Sequence, residues 1–282
     1  MGANVSRWFA LILLPLLGCE ETLRLPPEPA PLAPVESGSQ FVAQHTGRLQ
    51  GQVRWLGPLP VHSLLESVDQ PLEFASLPIR PRPNPHRLEV SAEGGLAGAF
   101  VWLEGIDPAR APPWQPEPAR LTIQDRQLQP QRLLVRQGEC LTLQSRDSWP
   151  HTLQGRGACY FNVTIPRPEV PRQRALNRAG IVEVRCGSGA FWTRAYVLVQ
   201  PHPLLAVTDA QGRFAWEQVP PGRYRLHAWH PNPQVVGHER SPDTRRIVQI
   251  TFGEAFSTSC LVEVQTGQTA RPEMLLSLGG VR

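Results

Sequence analysis

Proline and glycine interrupt this chain so often that long helices have little room to form. The 282 residues include 31 Pro and 23 Gly, which favour turns and break the hydrogen-bond ladder of a helix. Apolar or small residues instead alternate with polar ones, as in Leu49, Gly51, Val53 and Trp55, the period of a half-buried strand. Many short strands with a turn about every 8–12 residues predict an all-β protein of sandwich or barrel type.

Further strands are predicted wherever this alternation returns between turn residues. They are 88–90, 99–103, 120–124, 131–136, 140–145, 181–186, 193–199, 205–208, 213–216, 223–229, 246–251, 260–265 and 273–278. The Pro- and Arg-rich segment 164–179 is predicted to be a long loop.

Residues 1–18 have the pattern of an export signal. After Arg7 comes the apolar run 8–17, which would rise about 15 Å as a helix, half of the roughly 30 Å needed to cross a bilayer. The run ends in Leu16-Leu17-Gly18-Cys19, which resembles the bacterial lipobox. We therefore expect Cys19 to be lipidated, with residues 19–46 as a Pro-rich tether. The chain would be anchored to a bacterial membrane and face the periplasm or the exterior.

Charge and motifs exclude several classes of function. The net charge of +4 is spread along the chain, without a basic run or interleaved aromatic residues, so nucleic-acid binding is not expected. The sequence has no Gly-x-Ser-x-Gly, no His-Glu-x-x-His and no Gly-rich phosphate loop, and its carboxylates stand singly. The chain is therefore predicted not to be an enzyme.

Three groups of motifs point to one protein family. The first pairs Gly51-Gln-Val-Arg-Trp-Leu-Gly57 with residues 94–103; the second links residues 135–138 and 145–151 to 184–186 and 194–197; the third comprises residues 205–214, 219–222 and 227–231. Together they resemble the bacterial envelope proteins described as methylamine-utilisation or plastocyanin-like. Those proteins combine a cupredoxin domain with a transthyretin-like, carboxypeptidase-regulatory-type domain of carbohydrate-binding-like fold.

The resemblance implies a discontinuous domain. Residues 47–119 and 201–282 would close one transthyretin-like sandwich, and a cupredoxin-like sandwich of residues 120–200 would be inserted between them. Two consecutive domains are the alternative arrangement.

A cupredoxin holds copper with two His, one Cys thiolate and a weak axial Met. In the resembling family one His follows an Asp, and here His151 follows Asp147; Cys186 matches the thiolate. Ala190 stands where the second His belongs and Thr193 where the Met belongs, in a segment one residue longer than the family's. With two of four ligands missing, neither copper nor another cofactor is expected.

Four cysteines remain after Cys19, an even number for an oxidising compartment. In the topology that the resemblance implies, Cys159 is the nearest partner of Cys186, which leaves Cys140 for Cys260. Four cysteines allow three connectivities, of which we favour this one.

The expected function is a non-catalytic envelope lipoprotein that binds or scaffolds an envelope protein or a polysaccharide. One alternative is a copper-binding cupredoxin electron carrier. Another is carbohydrate binding through exposed aromatic side chains. Trp149 and Trp192 are the candidates for such contacts, because they lie beside the ligand-equivalent positions.

Overall fold

A computed structural model of the chain describes residues 40–60, 65–68, 79–82, 84–115, 117–168, 170–187, 190–243 and 247–277. The predicted signal peptide and Cys19 lie outside these residues. Apart from one short 3₁₀ helix, Ala43–His45, the regular structure described consists of β-strands, which confirms the all-β class. No helix in the described ranges is long and apolar enough to span a membrane.

The strands fall into three groups along the chain. The first is β1 (Gly47–Leu56), β2 (Leu65–Val68), β3 (Ile79–Arg82) and β4 (Phe100–Glu104). The second is β5 (Arg120–Gln124), β6 (Gln127–Gln129), β7 (Arg132–Arg136), β8 (Cys140–Ser145), β9 (His151–Gly157), β10 (Phe161–Ile165), β11 (Arg172–Ala175), β12 (Gly180–Cys186) and β13 (Arg194–Gln200). The third is β14 (Leu205–Val207), β15 (Arg213–Val219), β16 (Gly222–His230), β17 (Val235–Arg240), β18 (Ile247–Phe252), β19 (Phe256–Val264), β20 (Thr269–Ala270) and β21 (Glu273–Ser277).

Strands from the first and third groups form one sandwich, which we call the terminal sandwich. One sheet has the order β15-β1-β20, with β21 also paired to β1, and the other has the order β14-β4-β16-β19. Alternate side chains of both sheets fill one core, which includes Leu49, Val53, Leu103, Leu226 and Met274. Burying such side chains contributes about 1.5–3 kcal/mol each, so the two ends of the chain stabilise each other.

The second group forms a separate sandwich, here the central sandwich. Its sheets have the orders β10-β9-β12-β13-β7 and β11-β8-β5-β6. The core between them includes Leu121, Leu143, Leu153, Val184 and Val197. The hairpins β2–β3 and β17–β18 are separate two-stranded sheets.

The two sandwiches pack against each other through strand β13. Its residues 194–199 are all buried, because one face lies in the central core and the other meets the terminal sandwich. On that second face, Tyr196 and Leu198 join Phe100 and Leu205 in a distinct apolar cluster. A strand buried on both faces reads as a continuous apolar run, as in Ala195–Val199.

The predicted strands 120–124 and 140–145 match β5 and β8 residue for residue. Several segments differ from the prediction, and β2, β3, β6, β9, β17 and β20 were not predicted as strands. Residues 88–90 contribute a single bridge, Val90 to Leu96. The predicted loop 164–179 contains the end of β10 and the whole of β11. Strand β9 was missed because its third inward position is Gly155, where the ring of Phe161 fills the space of a side chain.

Candidate functional site

His151 is the first residue of β9, and its ring is buried at 3% exposure. It belongs to a strand and not to a loop, because β9 pairs with β10 from this residue onward. Its Nε2 lies 2.8 Å from Oδ2 of Asp147, which is also buried. An ionised carboxylate only accepts hydrogen bonds, so the ring donates from Nε2.

The same carboxylate holds the turn between β5 and β6. The amide of Asp125 donates to Asp147 Oδ1 at 2.6 Å, and the amide of Arg126 donates to Oδ2 at 3.1 Å. Both turn residues have left-handed backbone angles, φ 51° and 59°, a conformation that costs non-glycine residues roughly 1–2 kcal/mol each. Asp147 therefore stabilises a strained two-residue hairpin turn as well as orienting His151.

Thr193 lies in the loop between β12 and β13 and connects this loop to the β5–β6 turn. Its buried hydroxyl donates to the carbonyl oxygen of Arg126. Its backbone closes the loop after β12, since the Cys186 amide donates to the Thr193 carbonyl at 3.1 Å and the Thr193 amide donates to Ala190 at 2.9 Å. Thr193, which the resemblance matched to an axial Met, is thus a structural hydrogen-bond donor in this fold.

Cys186 ends β12 and is paired with Leu153 across the sheet. It shares the inward face of β12 with Val182 and Val184, as His151 shares the inward face of β9 with Leu153. The structure therefore brings His151 and Cys186 to the same face and the same end of one sheet. Ala190, also buried, adds only a methyl group.

These residues do not fit a trigonal copper centre. Nε2 of His151 is occupied by Asp147, and the hydroxyl of Thr193 by a carbonyl oxygen. Within the part of the chain that the structure describes, no three His, Cys, Asp or Glu side chains lie close enough together to hold a metal ion. A blue-copper site requires two imidazoles and a thiolate around one point.

The predicted disulfides are not formed, since none of the four described cysteines is in a disulfide. Cys159 follows Ala158, whose amide donates to Ile181 near the start of β12, whereas Cys186 ends that strand. Five residues of strand separate the two ends by about 16 Å, far beyond the roughly 7 Å limit between the Cα atoms of a disulfide. Cys140 and Cys260 lie in different sandwiches.

The two candidate ligand-facing tryptophans differ in exposure. Trp149 is 40% exposed, and the guanidinium carbon of Arg126 lies 5.2 Å from the centre of its ring. Trp192 is buried at 6% exposure and packs edge-on against Phe191. The described structure therefore does not bring the two rings together as an exposed platform.

His86, Tyr196 and Asn232 form a buried polar cluster beside the contact between the two sandwiches, which the sequence did not predict. Nδ1 of His86 lies 2.9 Å from the carbonyl oxygen of Asn232, to which it donates. Nε2 then accepts from the hydroxyl of Tyr196, also at 2.9 Å. Burial lowers the pKa of His86 well below its usual value and raises that of Tyr196, so both groups stay neutral. His86 is 110 positions from Tyr196 and 146 from Asn232, and no local pattern connects them.

Arg194 joins this cluster to the hairpin β17–β18. Its side chain is almost fully buried, and it forms an ion pair with Glu183 on β12. Its Nε donates to Phe191 and its Nη2 to Ile250, each at 3.0 Å. An arginine at the start of an otherwise apolar strand was the one local signal for this arrangement.

Comparisons with known proteins give structural likenesses alone. No family model matches the chain, and no curated protein matches it. Among solved structures it is similar to a purple cupredoxin from Nitrosopumilus maritimus, with 18% identity over 29% of this chain and 99% of that chain, at a TM-score of 0.26. A copper-containing nitrite reductase from Thermus scotoductus matches at 13% identity over 31% of this chain and 23% of that chain, with a TM-score of 0.27. A mutant of amicyanin matches at 18% identity over 29% of this chain and 82% of that chain, with a TM-score of 0.26.

Proposed function

We propose that this chain is a non-catalytic cell-envelope lipoprotein with a binding or scaffolding role. In this proposal its central sandwich is a cupredoxin-like unit whose copper ligands have been replaced by a hydrogen-bonded cluster. The observation that carries the proposal is the carboxylate of Asp147, which binds His151 and two amides of the β5–β6 turn at once. An imidazole held in this way orders the loops around it.

The other ligand-equivalent positions support the same proposal. Thr193 and Ala190 provide no sulfur and no imidazole, and Thr193 instead ties its loop to Arg126. Buried polar groups that are all hydrogen-bonded make a site rigid and specific. Such an end of a sandwich is suited to presenting a fixed surface, with Trp149 at its rim, rather than to electron transfer.

Copper titration tests this proposal. Cu(II) is added to the purified chain and the visible spectrum is recorded, and we expect no intense thiolate-to-copper band in the red. The control variant Cys140→Ala removes an exposed thiol and should not alter the spectrum. A strong band that survives in Cys140→Ala but disappears in both His151→Ala and Cys186→Ala would establish the copper-carrier alternative.

The membrane anchor is tested separately. Labelled palmitate should be incorporated into the chain and lost in Cys19→Ala, which should also leave the membrane fraction or fail to be processed. Cys140→Ala is the matched control and should remain labelled. A Cys19→Ala variant that is processed and membrane-bound like the original would disprove the anchor.

A second candidate function, binding of an acidic saccharide, is favoured by a cleft on the outer face of the terminal sandwich. The cleft has a volume of about 570 Å³, in the range of small-ligand sites. Its lining includes Gln50, Gln52, Arg213 and Arg271. The lining also holds two acids. Glu273 is paired with Arg54, and Asp209 accepts the backbone amides of Gln211 and Arg213. Neither Arg213 nor Arg271 forms an ion pair with a described residue.

Affinity electrophoresis tests whether the cleft binds an acidic saccharide. Polygalacturonate should retard the original chain, and Arg271→Gln should weaken the retardation, since a guanidinium binds carboxylates by charge-assisted hydrogen bonds. Neutral dextran is the control for non-specific sieving. Equal mobility of the two proteins in polygalacturonate would exclude this cleft.

A further inference from the structure

The outer face of β9, β12 and β13 carries an unusual concentration of arginines. The cross-strand register places Gln154, Arg185 and Arg194 in one row and Arg156, Glu183 and Tyr196 in the next. Arg185 thus faces Arg194 directly, and like charges opposite each other destabilise a sheet. These two rows therefore contain three guanidinium groups and one carboxylate.

That single carboxylate is already engaged. Glu183 forms the ion pair with Arg194, whose remaining donors bind the carbonyls of Phe191 and Ile250. Arg156 and Arg185 form no ion pair with a described residue. A second acid, Glu239 on β17, attracts Arg185 electrostatically and accepts a hydrogen bond from Gln249 at 3.2 Å.

The arginines on this face of the sheet influence one another electrostatically. The pKa of Arg185 is lowered, first by partial burial and then by the charge of Arg156. Both effects disfavour the charged form of Arg185. An anion between Arg156 and Arg185 would offset them, because an opposite charge nearby favours the charged form.

A cavity lies between these side chains. Its volume is about 190 Å³, and its polar lining is Gln154, Arg156, Arg185, Arg194 and Gln249. This volume is several times the roughly 30 Å³ occupied by one water molecule. Guanidinium and amide N–H groups from β9, β12, β13 and β18 therefore surround a space of the size of a small anion.

We propose that this cavity binds a small oxyanion of the phosphate class, held between Arg156 and Arg185 with the amides of Gln154 and Gln249 beside it. Guanidinium groups bind phosphate oxygens through short, charge-assisted hydrogen bonds. Arg156 and Arg185 are on the opposite face of the sheet from His151, and Cys186 at the end of β12 also lines the cavity. The proposal does not depend on the one about copper or on the membrane anchor.

Thermal unfolding and calorimetric titration of the full chain in a non-ionic detergent test the site. Inorganic phosphate should raise the melting temperature by roughly 2–4 °C at millimolar concentration, whereas chloride of equal ionic strength should not. Arg185→Gln and Arg156→Gln should each weaken phosphate binding about tenfold or more, the loss of one charge-assisted hydrogen bond. Arg223→Gln is the matched control, because that arginine is exposed on the terminal sandwich and pairs with Glu263.

Two further results separate the outcomes. Glycerol phosphate, the headgroup form of the same chemistry, should displace inorganic phosphate if the natural ligand is a phosphate ester. Inorganic phosphate binding that glycerol phosphate does not displace assigns the site to the free ion. Arg156 is exposed, so its variant should fold even if Arg185→Gln does not. Phosphate binding by Arg156→Gln equal to that of Arg223→Gln, or no phosphate effect on the original chain, would overturn the proposal.

Discussion

The imidazole of His151 and the carboxylate of Asp147 form a buried pair, with 2.8 Å between Nε2 and Oδ2. The same carboxylate accepts the amides of Asp125 and Arg126, so one side chain orders the start of β9 and the turn between β5 and β6. Sequence reasoning treated Asp147 as a marker for a ligand loop. In the structure it is the centre of that loop's hydrogen bonding.

Replacing Asp147 should therefore destabilise the whole chain. Asp147→Ala leaves two partly buried amides and the buried His151 ring without their acceptor, for which we expect a loss of about 3–5 kcal/mol in the free energy of unfolding. Asp147→Asn keeps one acceptor oxygen and should lose less. Urea unfolding measures both.

The matched control for Asp147 is Glu217→Ala, which removes an exposed carboxylate paired with Arg48. An exposed pair of this kind contributes at most about 1 kcal/mol. Equal stability of Asp147→Ala and Glu217→Ala would show that Asp147 has no structural role.

Acid should weaken the fold through buried neutral histidines. Burial lowers the pKa of His86 well below 6.5, that of His202 to about 4 and that of His230 to about 3. Below pH 6.5 the unfolded chain takes up protons that the folded chain does not, so the free energy of unfolding falls as the pH falls. By pH 5 the loss should reach about 1–2 kcal/mol for each ring.

Urea unfolding at pH 7.5 and pH 5 measures this slope. His86→Gln should make the slope shallower, because it removes one of the groups that titrates only on unfolding. His45→Gln, at an exposed position of the 3₁₀ helix, is the control. A slope unchanged in His86→Gln would contradict the role assigned to that ring.

Gly155 should tolerate no side chain. A methyl group there would lie 2.3 Å from Cε1 of Phe161, the residue paired with it on β10. We expect Gly155→Ala to destabilise the chain by about 1–3 kcal/mol, and Phe161→Leu in the same chain to restore part of the loss. Gly237→Ala meets Thr251 at an ordinary 3.8 Å and should change stability by about 0.5 kcal/mol or less. Equal melting temperatures for the two alanine variants would refute the packing argument.

The cysteines should react in an order set by burial. Without reductant, alkylation of the native chain should label exposed Cys140 first and half-buried Cys159 next. Burial raises the pKa of the Cys260 thiol, which slows its reaction. Cys186, buried at 7% exposure, should be labelled only after unfolding. Peptide mapping that recovers Cys159 linked to Cys186 would contradict the register of β9 and β12.

From sequence alone, the strand class and several strand bounds were predictable. A period of two residues and the turns around it depend on neighbouring residues, which is why β5 and β8 were predicted without error. The absence of an imidazole and a thioether at Ala190 and Thr193 was equally visible, because it is a matter of residue type.

The tertiary structure determined which distant residues contact each other, and no local sequence pattern contains this information. Strand β9 forms because Phe161 fills the space above Gly155, and the burial of His86 depends on Tyr196, 110 residues away. Cys159 and Cys186 do not pair because the strand register sets them at opposite ends of β12. Residue types and spacing determined which chemical groups were available to this protein. Only the packing of sheets from distant segments determined which of them meet, since hydrogen bonds and steric contacts act over a few ångströms of space, irrespective of distance along the chain.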